Sequence, residues 1–368
     1  MTALRIEARD HALDVEWPDG AKTSVPWLWL ADNEPAAFHP KTEERTFDLL
    51  GAPPDIRPLS VDAGDDAILV RWPGRAEATR IGADWLRAHA PGRRRPDAAD
   101  IESQFWRGES NVEMPRLEAS ALLTDDAELR GWMQATVRLG LSIVTGIEGG
   151  PEGGVAVAER TGFLRRTNFG TTFEVVSKPD PNNLAYTSHA LPLHTDLANQ
   201  EVPPGYQFLH CIANEAEGGG SVLCDGFAVA QDLRTADPEA FAVLSELEVP
   251  FRFHDREFDI RGRYPVIILD RQGVVREIRF NAHLVDIIDL DGAELTAFYP
   301  AYRTFMRMLR DPGYARAFRL RAGEMVVFDN RRILHGRQAF NPATGFRYLN
   351  GCYVDRGEFL SRIRVLAR

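Results

Sequence analysis

The chain has 368 residues, 44% of them apolar, and a formal net charge of −11. That length allows two domains and a sizeable core, and the acidic balance argues against nucleic acid or an anionic membrane as a partner. No apolar run approaches the roughly 20 residues that a membrane helix needs, and residues 1–7 lack the apolar core of a signal peptide. Cys211, Cys224 and Cys352 are scattered and odd in number, as expected of reduced, mostly buried thiols in a cytoplasmic protein and not of a disulfide framework.

Residues 1–95 predict a small β-rich α+β domain. Leu13-Asp14-Val15-Glu16-Trp17-Pro18 is echoed by Ile68-Leu69-Val70-Arg71-Trp72-Pro73, and each runs on to a Trp-Leu pair, Trp27-Leu28 and Trp85-Leu86. Alternation followed by Pro18-Asp19-Gly20 signals strand, turn, strand. Residues 88–115 read as a junction, with the proline-flanked arginines Arg93-Arg94-Arg95 as a solvated linker.

Residues 115–368 predict a larger domain, mostly β with helical insertions. Asp125-Asp126-Ala127-Glu128 is a capping pattern that opens a helix through Leu139, followed by a strand over 141–147. Residues 204–227 predict a strand, a glycine turn at Gly218-Gly219-Gly220 and a second strand from Ser221. Asp237-Pro238 caps a helix to about Leu247, residues 264–281 form a hairpin broken at Arg271-Gln272-Gly273, and Gly292 opens a helix to about Arg310. A turn then leads into a strong strand ending at Asp329. Many short strands with glycine turns suggest a jelly roll.

The chemistry centres on Leu193-His194-Thr195-Asp196. On an extended strand, positions i and i+2 share a face, so His194 and Asp196 can converge on one ion. With the distal His335 they form a candidate 2-His-1-carboxylate facial triad for Fe(II). Arg347, twelve residues after His335, is close enough in sequence for a neighbouring strand to bring its guanidinium near the metal, where it can fork onto a carboxylate. Taken alone, an HxD pair is more often a surface strand or turn with no metal, and the distal His335 and Arg347 bring the two readings level.

The wording around these residues narrows the choice. Asn182-Asn183-Leu184-Ala185-Tyr186-Thr187, Leu193-His194-Thr195-Asp196, Pro203-Pro204-Gly205 and Leu209-His210-Cys211 resemble the γ-butyrobetaine dioxygenase family. So do Phe328-Asp329-Asn330, Leu334-His335-Gly336-Arg337, Arg347 and Gly351-Cys352-Tyr353. The family's members are Fe(II)- and 2-oxoglutarate-dependent oxygenases related to taurine dioxygenase. The resemblance implies a double-stranded β-helix, with His194 and Asp196 at one strand end and His335 near the start of a later strand. It implies Fe(II) on His194, Asp196 and His335, 2-oxoglutarate held by Arg347 and Leu209, and O₂ as the other co-substrate.

On the substrate side, the resemblance implies an aromatic cage for a trimethylammonium group at Phe169, Phe173, Tyr186 and Tyr353, and Asn183 and Asn281 for the anionic end. A quaternary ammonium has no N–H to donate, so π faces are its natural partners. The chain also departs from the family. Many members carry zinc-binding cysteines after Trp-Leu-x-Asp-Asn, whereas Trp29-Leu30-Ala31-Asp32-Asn33 is followed by none before Cys211. A structural zinc is therefore not expected. Leu197 stands where the family often has tyrosine, and Phe280-Asn281-Ala282-His283 stands where it reads Phe-Asn-Asn with an arginine nearby. His189, His210, His254 and His283 read as structural or surface residues, and of these His283 lies in a segment that should approach the substrate.

The expected activity is hydroxylation of a small-molecule onium acid, γ-butyrobetaine to carnitine leading, by a cytoplasmic homodimer. Another substrate (trimethyllysine, a trimethylammonium phosphonate, an amino-acid-like molecule) is the alternative within the class. A metal-binding sensor without turnover is the alternative outside it.

Overall fold

The Trp-Pro echo near the N-terminus is a repeated piece of structure. In the computed structural model, which describes residues 4–108, 110–177 and 187–368, strand Ala12–Glu16 is the middle strand of one three-stranded antiparallel sheet and Ala67–Arg71 that of another. Each sheet is followed by a short helix, Trp27–Asn33 or Ala83–His89. Period-2 alternation turns Leu13, Val15 and Trp17 inward from the first repeat, and Ile68, Val70 and Trp72 from the second, into one core with Leu30 and Leu86. Beneath it lies the fully buried carboxylate of Glu34, which accepts a hydrogen bond from Trp72 Nε1 at 3.0 Å and pairs with Arg75. This unit spans Met1–Asp97, and a second unit spans Ala98–Arg368.

The second unit is built on two main sheets. A six-stranded sheet runs in the order Arg116–Glu118, Leu141–Thr145, Met325–Asp329, Tyr206–Asn214, Arg347–Val354, Thr172–Val176. A four-stranded sheet runs Leu191–His194, Ile333–Arg337, Ser221–Asp225, Ala315–Phe318. Strands distant in sequence are neighbours in both, and among the described residues only the pair Arg116–Glu118 with Leu141–Thr145 is parallel.

Alternation decides what each face of the larger sheet does. Tyr206, Phe208, Cys352 and Val354 turn outward onto helices Asp126–Leu139 and Arg356–Leu366, where Tyr206 stacks on Phe359 with ring centroids 3.8 Å apart. Gln207, Leu209, Leu349 and Tyr353 turn the other way, into a cavity. Gly351 shares that inner face, and a Cβ there would lie 2.3 Å from the Phe173 ring, so a larger residue would push that ring aside.

The caps predicted at Asp125 and Asp237 form, and Asp291 caps a further helix. Asp125 accepts from the backbone N–H groups of Ala127 and Glu128, Asp237 from Ala240, and Asp291 forms a capping box with Glu294. Several elements are additions to the sequence prediction, among them helices Pro151–Glu159 and Arg356–Leu366. Helix Gly226–Ala236, capped by Asp225, follows strand Ser221–Asp225 with no break in the apolar pattern to announce it. Strands Val249–His254 and Asp259–Tyr264 form a hairpin, so Tyr264 belongs to it and the next hairpin starts at Ile267. Pro250 argues against a strand in general, but a two-stranded hairpin has only edges, where proline is tolerated. Among the described residues no helix is long and apolar enough to cross a membrane.

Candidate active site

Strand Leu191–His194 stops at His194, and Asp196 lies beyond it at the start of a turn. The i, i+2 strand argument therefore does not describe how the two side chains converge. The turn does it, with Leu197 at φ 55°, a left-handed value unusual for a non-glycine residue. Asn330, fully buried, clamps the turn: its Oδ1 accepts from the Asp196 N–H at 2.7 Å and its Nδ2 donates to the Asp196 carbonyl at 3.1 Å. Thr195 is stitched to a second segment. Its N–H donates to the Phe280 carbonyl at 2.7 Å and its hydroxyl accepts from the Phe280 N–H at 3.1 Å.

His335 lies in the middle of strand Ile333–Arg337, not near its start, and is the register partner of His194, with ring centroids 4.3 Å apart. Asp196 Oδ1 is 3.3 Å from His194 Nε2 and 3.6 Å from His335 Nε2, and the three donor atoms all lie within 4.8 Å of one another. His194 Nδ1 sits 2.8 Å from the Pro192 carbonyl, so that nitrogen carries the proton and Nε2 keeps a lone pair for a metal.

Burial by itself would raise the Asp196 pKa. The His335 and His194 rings, with hydrogen bonds from His194 and Tyr353, outweigh it and hold the carboxyl below the usual carboxylate range. Burial, then His194, push His335 down to about 3 against the pull of Asp196. A carboxylate and neutral imidazoles are the forms that bind a metal. Two imidazole nitrogens and one carboxylate oxygen on one side of a site suit Fe(II).

Arg347 opens strand Arg347–Val354 in the six-stranded sheet, whereas His335 is in the four-stranded one. The two strands are therefore not neighbours, and both side chains reach one cavity from different sheets. The guanidinium is buried, its Nε has no hydrogen-bond partner, and among the described residues no carboxylate pairs with it. Burial, then the nearby Arg337, push its pKa down to about 10. A buried cation without a counter-charge is costly, so this end of the cavity suits an anion. Arg337, two residues after His335, donates to the carbonyls of Thr187 and His189 at 2.6 and 2.8 Å.

The cavity has a volume of about 360 Å³. Of the residues expected at the site, Phe169, Phe173, Leu209, Asn281, Arg347 and Tyr353 line it together with the triad. Asn183 and Tyr186 lie outside the described residues. Phe173 and Tyr353 stack with centroids 5.0 Å apart, and Phe169 meets Phe253 edge-on at 5.2 Å.

Residues 109–353 match the family described as taurine catabolism dioxygenase TauD, TfdA. The chain is 42% identical over 363 residues to the γ-butyrobetaine dioxygenase of Pseudomonas sp. (strain AK-1), covering 97% of this chain and 94% of that protein. It is 31% identical to the γ-butyrobetaine dioxygenase of Homo sapiens, covering 99% and 97%. It is 26% identical to the trimethyllysine dioxygenase of Meyerozyma guilliermondii, covering 96% and 93%. The chain belongs to the γ-butyrobetaine dioxygenase family, within the TauD, TfdA group. It is a 2-oxoglutarate-dependent dioxygenase, and its His-Asp-His cluster fits the Fe(II) that TauD-family dioxygenases use.

In this dioxygenase several cavity residues escape a reading of the sequence. Arg337 was within reach, since it lies on the same strand face as His335. Gln207 gives no local sign. It is buried, its Oε1 has no hydrogen-bond partner, and it stands in register beside Tyr353. Phe253 and His254 line the cavity from the unanticipated hairpin, where His254 stays exposed.

Proposed function

We propose that this dioxygenase hydroxylates a small trimethylammonium acid, with γ-butyrobetaine to carnitine as the leading case. The observation that carries this reading is one cavity in which the triad, the buried Arg347 and the rings of Phe169, Phe173 and Tyr353 meet. Names of relatives across nearly the full chain point the same way. We read the two sheets as a double-stranded β-helix, and the protein as a cytoplasmic homodimer without zinc in its N-terminal unit.

His194, Asp196 and His335 would hold Fe(II), and Arg347 would receive the far carboxylate of 2-oxoglutarate against Leu209. When bound, iron with 2-oxoglutarate and O₂ supplies oxidative decarboxylation to succinate and CO₂, coupled to hydroxylation of a substrate C–H bond. The chain contributes position and exclusion of water. Tyr353 commits its hydroxyl to Asp196 and so offers its ring face to the cavity, continuous with Phe173. Partly desolvated cation–π contacts contribute about 0.5–2 kcal/mol each.

A different onium substrate, such as trimethyllysine or a trimethylammonium phosphonate, is the second reading. It is favoured by the apolar Leu197 in the cavity wall and by Asn281, whose amide already bonds the Thr195 carbonyl and the His283 N–H. The test is a screen of candidate amines with Fe(II) and 2-oxoglutarate, read by succinate release and by a gain of one oxygen in the product mass. γ-Butyrobetaine should gain it. Turnover in which no onium compound gains oxygen would overturn the proposal.

A further inference from the structure

Among the described residues one role in the cavity has no evident owner, recognition of the substrate's anionic end; Asn183, expected there, lies outside them. Arg347 serves the co-substrate, and Arg337 is bound to the carbonyls of Thr187 and His189. Arg252 is forked onto Asp259 at 2.8 and 3.0 Å. Asn281 spends its amide on the Thr195 carbonyl at 3.2 Å and on the His283 N–H at 3.1 Å. Gln207 stands beside Tyr353, on the side of the rings. His254 is exposed and pairs in register with Asp259 at the far end of its hairpin.

His283 remains. Its ring lines the cavity, makes no hydrogen bond among the described residues, and meets His194 edge-on with centroids 5.8 Å apart. Its backbone is held from three directions. Asn281 caps its N–H, Thr195 ties Phe280 to the metal turn, and the Arg252 N–H donates to the Leu284 carbonyl at 2.7 Å. An antiparallel bridge from Phe251 to Val285 continues that pairing. The imidazole is thus presented from a fixed segment.

We propose that His283 is a specificity-determining residue that donates a hydrogen bond to the anionic end of the substrate and so orients it across the triad. The proposal rests on the onium-acid reading above. Tyr353 bonds Asp196 on one side of the triad, and His283 touches His194 on another. A molecule with a cation and a carboxylate joined by a short alkyl chain would lie between them, with its middle carbons toward the triad. The segment reads Phe280-Asn281-Ala282-His283, which sets an imidazole beside His194.

The experiment compares γ-butyrobetaine with its carboxamide, which keeps the onium and loses the negative charge. Binding to the protein loaded with Mn(II) and 2-oxoglutarate is measured by calorimetry, together with Mn(II) affinity. Wild type should prefer the acid. His283→Ala should lose roughly tenfold in acid affinity, the scale of one hydrogen bond to a charged group, with carboxamide and Mn(II) affinities unchanged. His283→Gln, which keeps an N–H donor, should recover part of the loss. An acid-to-amide ratio unchanged in His283→Ala would overturn the proposal and leave the onium-acid reading standing. A loss of Mn(II) affinity with equal weakening of both ligands would make His283 only a support for His194. Wild type that binds neither probe would overturn the onium-acid reading itself, and this role with it.

Discussion

Tyr353 donates its phenolic hydrogen bond to Asp196 Oδ2 at 2.7 Å, while Oδ1 of the same carboxylate faces both histidines. One residue thereby holds a carboxylate of the His-Asp-His cluster with its hydroxyl and lines the cavity with its ring. The two duties separate by substitution. Tyr353→Phe should weaken Fe(II) affinity about tenfold, the lower range for loss of a partner to a metal ligand, and leave onium binding nearly intact. Tyr353→Leu should weaken both. Metal and substrate titrations check this, and equal loss of onium affinity in both variants would contradict it.

His194→Ala, Asp196→Ala and His335→Ala should each abolish succinate release while the protein still folds. The triad lines a cavity, and the His335 ring also packs on Phe328 with centroids 4.8 Å apart, so His335→Ala should lower the thermal transition more than the other two. Full activity in any one variant would remove that residue from the iron.

Arg347→Ala should raise the 2-oxoglutarate requirement by roughly tenfold or more, since a hydrogen bond to a charged group contributes about 1.5–3 kcal/mol. The requirement for the amine should change little. Steady-state kinetics with each substrate varied in turn decides it, and an unchanged 2-oxoglutarate dependence would move the anion site elsewhere.

Arg332 is buried with its guanidinium forked onto Asp225 at 3.0 and 2.7 Å, and it also donates to the carbonyls of Arg138 and Gln104. Arg332→Met leaves Asp225 as a buried, unpaired charge and should cost roughly 3–5 kcal/mol of stability. Urea denaturation measures it. A loss below 1 kcal/mol, within the range of ~0–1 kcal/mol seen for surface pairs, would show that Asp225 finds another partner.

The N-terminal unit should hold no zinc, because no cysteine lies near Asn33. Metal analysis after the iron site is stripped should find none, and one stoichiometric, tightly held zinc would refute this. Glu34→Ala should instead destabilise the unit, since it removes the acceptor of Trp72 Nε1 and the partner of Arg75.

Caps and alternation were legible because each depends on residues within a few positions along the chain, whereas the donor set was legible through its resemblance to a known family. Asp125, Asp237 and Asp291 bond N–H groups two or three residues ahead of them, and the Leu13 and Ile68 repeats carry their inward faces in period 2. Pro250 hid a strand for an equally local reason, since a missing donor matters only if a neighbour needs it.

The sequence by itself determined which atoms are available: two imidazoles, a carboxylate and a guanidinium, spaced as in a known oxygenase family. Only the tertiary structure decided where they point. Asp196 turns toward the histidines because Asn330, 134 residues away, clamps its backbone. Arg347 reaches the cavity from the other sheet, and Gln207 stands beside Tyr353 because their strands pair. Local pattern sets a side chain's direction relative to its own backbone. Which distant backbones lie side by side is set by burial of whole faces, and no short stretch of sequence contains that information.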